Sequence, residues 1–338
     1  MKKVWLIKLL HYEYWPMWAF YLPLVPVVFL FGLIKRHFFF FTNVNPGIDS
    51  FSGFFFDSKV VIDRKIAAIY RPKSYLISPF ESEDKLETFI TNLDLSFPII
   101  IKPDAGERGK GVIKIFTKLE LKSNLAEIKI DYLVQEYVTH QLEYGVFVSY
   151  IPNELKYKVI SLTEKHFFTV VGDGKSSIDE LIKYQPRGLV FYRQIKERSI
   201  FAMDYTPPFN EICVIHTMGN HCNGTEFINR NHQISEVLEL SMNKLMVGMS
   251  GIYYGRFDIK AASLEDLNNL IDIKILEFNG ITAEPIHIYD NSFGYLKSLL
   301  SFLTSWKYLY KISNHNKLRG VQPVKHVEML RKFRLRGQ

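Results

Sequence analysis

The sequence predicts an α+β fold, and three observations carry that prediction. Short apolar, β-branched runs recur between glycine turns, helical spacing shows between some of them, and no repeat or low-complexity tract occurs. Hydrophobic residues form 47% of the 338 positions against 23% charged, a balance that suits a folded chain rather than a disordered one. The length allows two domains or one multi-lobed enzyme with a sizeable core.

The first element is "WPMWAFYLPLVPVVFLFGLI", residues 15–34, twenty positions without a charge. That length covers a bilayer core of about 30 Å. Pro23 and Pro26 split it near its centre, and cations stand on both sides (Lys2, Lys3 and Lys8 before, Lys35 and Arg36 after). The positive-inside preference then keeps both ends cytoplasmic. We therefore expect a re-entrant, monotopic or single-span segment at the cytoplasmic face, with Trp15, Trp18 and Tyr21 near the interface. The alternative is a hydrophobic arm packed on a soluble domain. A secretory signal fits badly, because Glu13 interrupts the approach and no small-residue cleavage site follows. "KRHFFFF" and the turn "TNVNPG" close this 1–45 segment.

Next, "SEDKLETFITNL" reads as a helix with Ser82 as N-cap and Leu86, Phe89, Ile90 and Leu93 at helical spacing. "FPIIIKP" is a short buried strand and "GVIKIFT" another, with "DAGERGKG" between them. "YLVQEYV" and "EYGVFVSYI" are further strands. "VVGDGKSSIDELI" is strand, glycine turn and helix, with Ser177 and Glu180 spaced as a capping box. "YYGRFDIK" and "IKILEFN" read as paired antiparallel strands. These elements make one lobe over 46–138, a second over 139–296 and a basic extension over 297–338. On a helical wheel Leu296, Leu299, Leu303, Trp306 and Tyr310 share one face, and Lys297, Ser301, Thr304 and Lys311 the other. Such a helix packs on a core or lies on a membrane surface.

Charge is uneven. The first 36 residues carry five cations against Glu13 alone, and residues 297–338 carry ten against Glu328 alone, so the middle is net acidic despite a total of +7. Basic ends around an acidic centre suit an anionic membrane surface better than nucleic acid. Cys213 and Cys222 imply no disulfide framework and a reducing compartment. With His216 and His221 they look like a metal set, but their spacing matches no zinc pattern.

Three stretches carry chemistry. In "IIIKPDAGERGKGV", Lys102 ends a strand and a loop holding Gly106, Arg108, Gly109, Lys110 and Gly111 follows. Glycines let backbone N–H groups approach phosphates closely, although no Gly-Lys-Ser/Thr makes this a P-loop. In "LVQEYVTHQLEYG", the strand carrying Glu136 and Val138 offers a backbone edge to adenine, and Glu143 a carboxylate to ribose hydroxyls. In "GRFDIK…IKILEFNG", strand alternation puts Arg256, Asp258, Glu277 and Asn279 on one side. Two carboxylates and an amide suit Mg²⁺, and an arginine beside them suits charge developing on a transferred acyl group.

In that order the three stretches resemble the ATP-grasp superfamily, and in particular D-alanine–D-alanine ligases and cyanophycin synthetase-type carboxylate–amine ligases, over roughly residues 57–290. The resemblance implies two α+β lobes enclosing ATP. "DSKVVIDRK" is similar to the family's early lysine segment, which makes Lys59 and Lys102 phosphate contacts under a glycine-loop lid. It further implies two Mg²⁺ ions, with Mn²⁺ as a substitute: one on Asp258 and Glu277, the other on Glu277 and Asn279. Arg256 would then steady an acyl phosphate. "VVGDGKSSIDELI" and the "NHCNGTEF" loop look like the cyanophycin synthetase version. The implied activity is ATP-dependent amide formation from a carboxylate and an amine, possible substrates including a lipid-linked carboxylate. A phosphotransferase and a non-catalytic nucleotide-binding membrane protein are the alternatives.

Two departures matter. The α/β domain that precedes the grasp in D-alanine ligases is expected to be missing, with the apolar segment in its place. After Asn279 the chain reads "GITAEPIHIYD" instead of the family's Pro-Gly-Met-Thr-Ser, so acceptor specificity does not carry over; Glu284 and His287 stand where an acceptor would be read, or else close a turn.

Overall fold

The computed structural model describes residues 2–55, 58–79, 95–106 and 111–336. The first sheet is built from β1 (Ser74–Ile77), β2 (Ile99–Pro103), β3 (Ile113–Ile115) and β4 (Tyr132–Glu136), in the antiparallel order β1-β4-β2-β3. Its isoleucines Ile77, Ile99, Ile101 and Ile115 meet Leu121 of the Lys118–Leu125 helix in a small core. The helix expected at 82–93 lies outside the described residues.

β5 (Leu142–Ile151) and β6 (Lys156–His166) then form a long hairpin. β7 (Thr169–Val171) and β8 (Ile212–Val214) pair separately, and between them the Ile178–Tyr184 helix starts with the expected capping box of Ser177 and Glu180. β9 (Glu226–Asn229), β10 (Tyr254–Ala261) and β11 (Ile273–Asn279) complete a second sheet in the order β11-β10-β5-β6-β9. Alternation gives this sheet two characters. Its back face (Tyr144, Val146, Val148, Phe257, Ile259, Ile275) packs on Leu238, Met242 and Leu245 of the Glu236–Val247 helix. Its front face carries Glu143, Lys165, Arg256, Asp258 and Lys260, all but Arg256 buried.

The lower part of the front face, with Phe147 and Tyr254, is covered by the Tyr295–Leu318 helix. Of the expected stripe, Leu299 is buried and Leu303, Trp306 and Tyr310 pack partly buried against the core, but the inward face is wider than apolar spacing alone indicates. Leu296 is exposed, whereas Ser298, Leu299, Ser305, Leu309, Ile312, Ser313 and Asn316 face inward. Small hydroxyl side chains let the helix approach the 36–55 segment closely. There Ser313 Oγ donates to Phe40 O at 2.9 Å, and Asn316 Nδ2 to Asn43 O at 2.7 Å. A wheel drawn on apolar residues alone misses a stripe made of serine.

The two central prolines do not break the apolar N-terminal run. It is helical from Met17 to Lys35, with one 3-10 turn at Leu22–Leu24. Pro23 and Pro26 each sit at the start of a helical piece, where a missing N–H costs nothing. Phe20 and Leu24 are buried against Tyr12, Ile288 and Leu299, while Trp18, Leu22, Phe29, Leu30, Leu33 and Ile34 are each more than half exposed. By length and composition this helix could cross a membrane.

Candidate active site

The front face of the second sheet and one face of the first, carrying Ile100, Lys102, Lys114 and Gln135, enclose a cleft of about 780 Å³. Its floor follows from strand register. Arg256 lies opposite Asn279 and Asp258 opposite Glu277, so all four side chains leave β10 and β11 on one side, as alternation predicts. A bulge directly after Asp258 leaves Leu276 unpaired. The freed Leu276 carbonyl accepts from Lys102 Nζ at 3.2 Å, which brings the lysine of β2 to the carboxylates of β11.

Arg256 grips Asp258 with two bonds, Nε to Oδ1 at 2.9 Å and a terminal nitrogen to Oδ2 at 3.3 Å. Lys165 Nζ stands 3.3 Å from Asp258 Oδ1 and 2.7 Å from Glu143 Oε1. Burial alone would push the Asp258 carboxyl up, but Arg256 and Lys165 outweigh it and hold it below the ordinary range. Burial pushes the Lys102 ammonium down, opposed by Asp63 and Glu277. The Glu277 side chain makes no hydrogen bond or ion pair with another described residue, and Asn279 Nδ2 lies 3.5 Å from Asp258 Oδ2. One unengaged carboxylate, one carboxylate shared with cations and one amide oxygen form the hard-oxygen set that Mg²⁺ accepts, since that ion keeps waters and takes its remaining ligands from phosphates. These residues therefore fit such an ion.

The other expected residues are placed as follows. Lys59 Nζ donates to Gly106 O at 2.9 Å and Asp104 O at 3.3 Å, so it braces the root of the glycine loop. Gly111 ends the loop with φ 75°, packed on Pro103, and a side chain there would be strained. Arg108, Gly109 and Lys110 lie outside the described residues. Glu136 Oε2 accepts from Lys73 N at 3.0 Å, and the Val138 carbonyl accepts from Lys260 Nζ at 3.2 Å; both residues line the cleft. Glu143, expected free for ribose, is engaged by Lys165, and its carboxylate presses on Gly219, where a Cβ would come within 2.2 Å.

Four residues were not anticipated. Lys165 and Lys260 are the register neighbours of Glu143 on either side, a signal available only once strand pairing is known. Lys114 of β3 sits 3.6 Å over the Tyr137 ring. Asp63, one turn after Lys59, is buried beside Lys102; burial pushes its carboxyl up to about 6, helped by Glu277 and opposed by Lys102 and Arg71.

The far end of the cleft is walled by the N-terminal segment through Glu13, Trp15, Pro16 and Met17. Glu13 accepts from Arg187 at 2.5 Å and lies 3.2 Å from His221 Nε2. Burial opposes its ionisation, yet His221 and Arg187 keep the carboxyl low. Tyr289 donates to Glu284 at 2.5 Å and stands 3.0 Å from the Tyr21 hydroxyl, while Arg256 donates to the Glu284 carbonyl at 3.2 Å. Glu284 thus lines the cleft. His287 does not: it is buried between Ser161 Oγ (2.6 Å) and Ser301 Oγ (2.8 Å) and ties β6 to the Tyr295–Leu318 helix. The four Cys and His residues do not converge either. Cys213 is buried in β8, Cys222 is exposed, His216 bonds Asn223 O and His221 bonds Glu13.

Residues 57–155 match the sequence model of the RimK-like ATP-grasp domain. No curated protein sequence matches the chain. Among solved structures, a bifunctional glutathione synthetase from Pasteurella multocida is similar at 18% identity and TM-score 0.39, over 75% of this chain and 35% of that one. A D-alanine–D-alanine ligase from Bacillus anthracis is similar at 14% identity and TM-score 0.40, over 75% and 68%. A VanG D-Ala:D-Ser ligase from Enterococcus faecalis is similar at 15% identity and TM-score 0.40, over 75% and 61%. The chain thus spans about a third of the first of these and about two thirds of the other two.

Proposed function

We propose that this chain, which carries a RimK-like ATP-grasp domain over residues 57–155, is an ATP-dependent carboxylate–amine ligase that works through an acyl phosphate at a membrane surface. One observation carries the reading. The cations and carboxylates suited to phosphoryl transfer meet in a cleft whose other end is walled by a largely exposed apolar segment.

In this reading Lys59, Lys102 and the glycine loop hold the ATP phosphates. The 136–138 backbone receives adenine. Glu143 exchanges its Lys165 contact for ribose hydroxyls. Asp258, Glu277 and Asn279 would hold Mg²⁺, which when bound neutralises phosphate charge. The substrate carboxylate attacks the γ-phosphorus, an O–P bond forms and ADP leaves. Arg256, aimed along the cleft floor, stabilises negative charge on the acyl group as the amine attacks. The new C–N bond displaces inorganic phosphate, and the amine gives up its proton to solvent. The protein contributes placement and fixed charge more than covalent chemistry.

The carboxylate is carried by an amphiphile. Its head reaches Arg256, and its tail runs out along Trp15, Met17 and the exposed face of the Met17–Lys35 helix, which lies on the cytoplasmic surface. Vesicle-borne carboxylates, ATP and hydroxylamine should yield a hydroxamate together with ADP. ADP formation with a stable phosphorylated product would instead mark a phosphotransferase, and no nucleotide turnover would mark a binding protein.

A further inference from the structure

A second pocket lies away from the cleft, on the apolar-core side of the second sheet. Residues 64–71, which follow the Lys59–Asp63 helix, pass beside the C-terminal turns of the Glu236–Val247 helix and residues 269–270. They enclose about 590 Å³, within the range of small-molecule sites. Four cations line it, Arg64, Lys65, Arg71 and Lys244, and no carboxylate does. None of the four makes a side-chain ion pair with another described residue.

Exposed cations such as Arg64 and Lys244 could simply be solvated, but Arg71 is different. Its Nε is buried and has no hydrogen-bond partner. Buried donors nearly always have one, and leaving one unmet costs free energy. The Arg71 backbone is fixed from behind, because Lys274 Nζ donates to Ile69 O and Arg71 O, each at 3.3 Å. Arg71 therefore carries an unmet Nε at a pocket lined by three further cations, although the buried Asp63 carboxyl also feels its charge. A multiply charged oxyanion would meet both the unsatisfied donor and the cation-lined wall, since guanidinium and ammonium groups bind phosphate oxygens with charge-assisted bonds. Ser241 and Asn269 add neutral polar groups, while Tyr70, Ile66 and Leu270 offer an apolar wall to an organic group.

We infer that this pocket is a second ligand site, taking a phosphate monoester or diphosphate whose organic part rests on Tyr70 and Leu270. Two sources share that chemistry, a soluble phosphorylated metabolite and the headgroup of an anionic lipid. Neither requires the cleft to act as a ligase.

The test uses the full chain with its cleft filled by β,γ-imido-ATP, so that anions are not counted there. Phenyl phosphate is titrated calorimetrically, and phosphatidylcholine vesicles with and without phosphatidic acid are tested by co-sedimentation. The variant Arg64→Glu with Lys244→Glu changes two exposed side chains of the pocket. The control Lys129→Glu with Lys175→Glu makes the same charge change elsewhere on the surface. We expect the pocket variant to weaken binding at least about tenfold, the low end of what losing charge-assisted contacts costs, and the control to leave it unchanged. Loss seen with phenyl phosphate identifies the soluble source. Loss confined to phosphatidic-acid vesicles identifies the headgroup. Binding that falls equally in both variants, or no binding of either probe, overturns the site.

Discussion

Glu277 and Asp258 stand opposite each other on neighbouring strands, yet they differ in what holds them. Asp258 is gripped by Arg256 and Lys165, whereas Glu277 has no partner among the described residues. Glu277→Gln should therefore fold normally, because it breaks no pair, and should lower ATP turnover roughly 100-fold or more, the upper end of losing a mere supporting group at a metal site. Urea unfolding alongside steady-state ADP release separates the two effects. Two other buried groups titrate in opposite senses. Burial raises the Asp63 carboxyl from 3.8 to about 6, so the folded chain holds that proton more tightly than the unfolded one. Its contribution to stability is full below the ordinary carboxylate value and is lost as pH rises through about 6. Burial lowers the His287 imidazole from 6.5 to about 4, so its contribution is full above 6.5 and is lost as pH falls through about 4. The two partly cancel in the native chain. Asp63→Asn removes the first, so acidification from pH 6.5 to 4 should cost the variant about 2 kcal/mol more than the native chain, read by urea unfolding at both pH values.

At the scale of elements, the site depends on one bulge and one arm. The bulge at Leu276 is what lets Lys102 of one sheet reach the carboxylates of the other. The loop at Gly219 packs directly on Glu143, so Gly219→Ala would drive its Cβ into that carboxylate and away from Lys165. Nucleotide affinity should fall about tenfold, the scale of losing a hydrogen bond to a charged group, as measured by fluorescent-nucleotide displacement. Trp15→Ala with Met17→Ala should leave that affinity unchanged and depress only the use of an amphiphilic carboxylate. Legibility at this scale was uneven. β2 and β3 were readable as short apolar, β-branched runs, β4, β5, β10 and β11 as apolar stretches bounded by turns, and the candidate-site acids because carboxylates stood out between apolar neighbours. β6 was not, since its front-facing positions are Ser161, Thr163 and Lys165, buried polar groups that hide the alternation. Lys165 and Lys260 were invisible for the related reason that only register reveals them as neighbours of Glu143. The serine stripe at Ser298, Ser305 and Ser313 escaped because packing there is by smallness and hydrogen bonds.

The whole molecule joins the candidate nucleotide cleft to an apolar helix, with basic segments in its first 36 residues and over 297–338. One face of the Met17–Lys35 helix is buried on the Tyr295–Leu318 helix, and the other exposes a row of large apolar side chains, more than solitary surface residues explain. Phe29→Glu with Leu33→Glu alters that exposed row and, within the protein, one ring contact of Phe29 with Phe38. It should release the protein from membranes in carbonate-washed sedimentation while leaving its nucleotide affinity intact. A native chain that stays fully soluble would count against the surface reading without touching the chemistry. The chemistry is tested most directly by following the substrate oxygen. With a carboxylate found by hydroxamate trapping and labelled with ¹⁸O, one labelled oxygen should appear in the inorganic phosphate released with each amide formed. Phosphate free of label, or label kept in a stable phosphorylated product, would contradict an acyl-phosphate ligase.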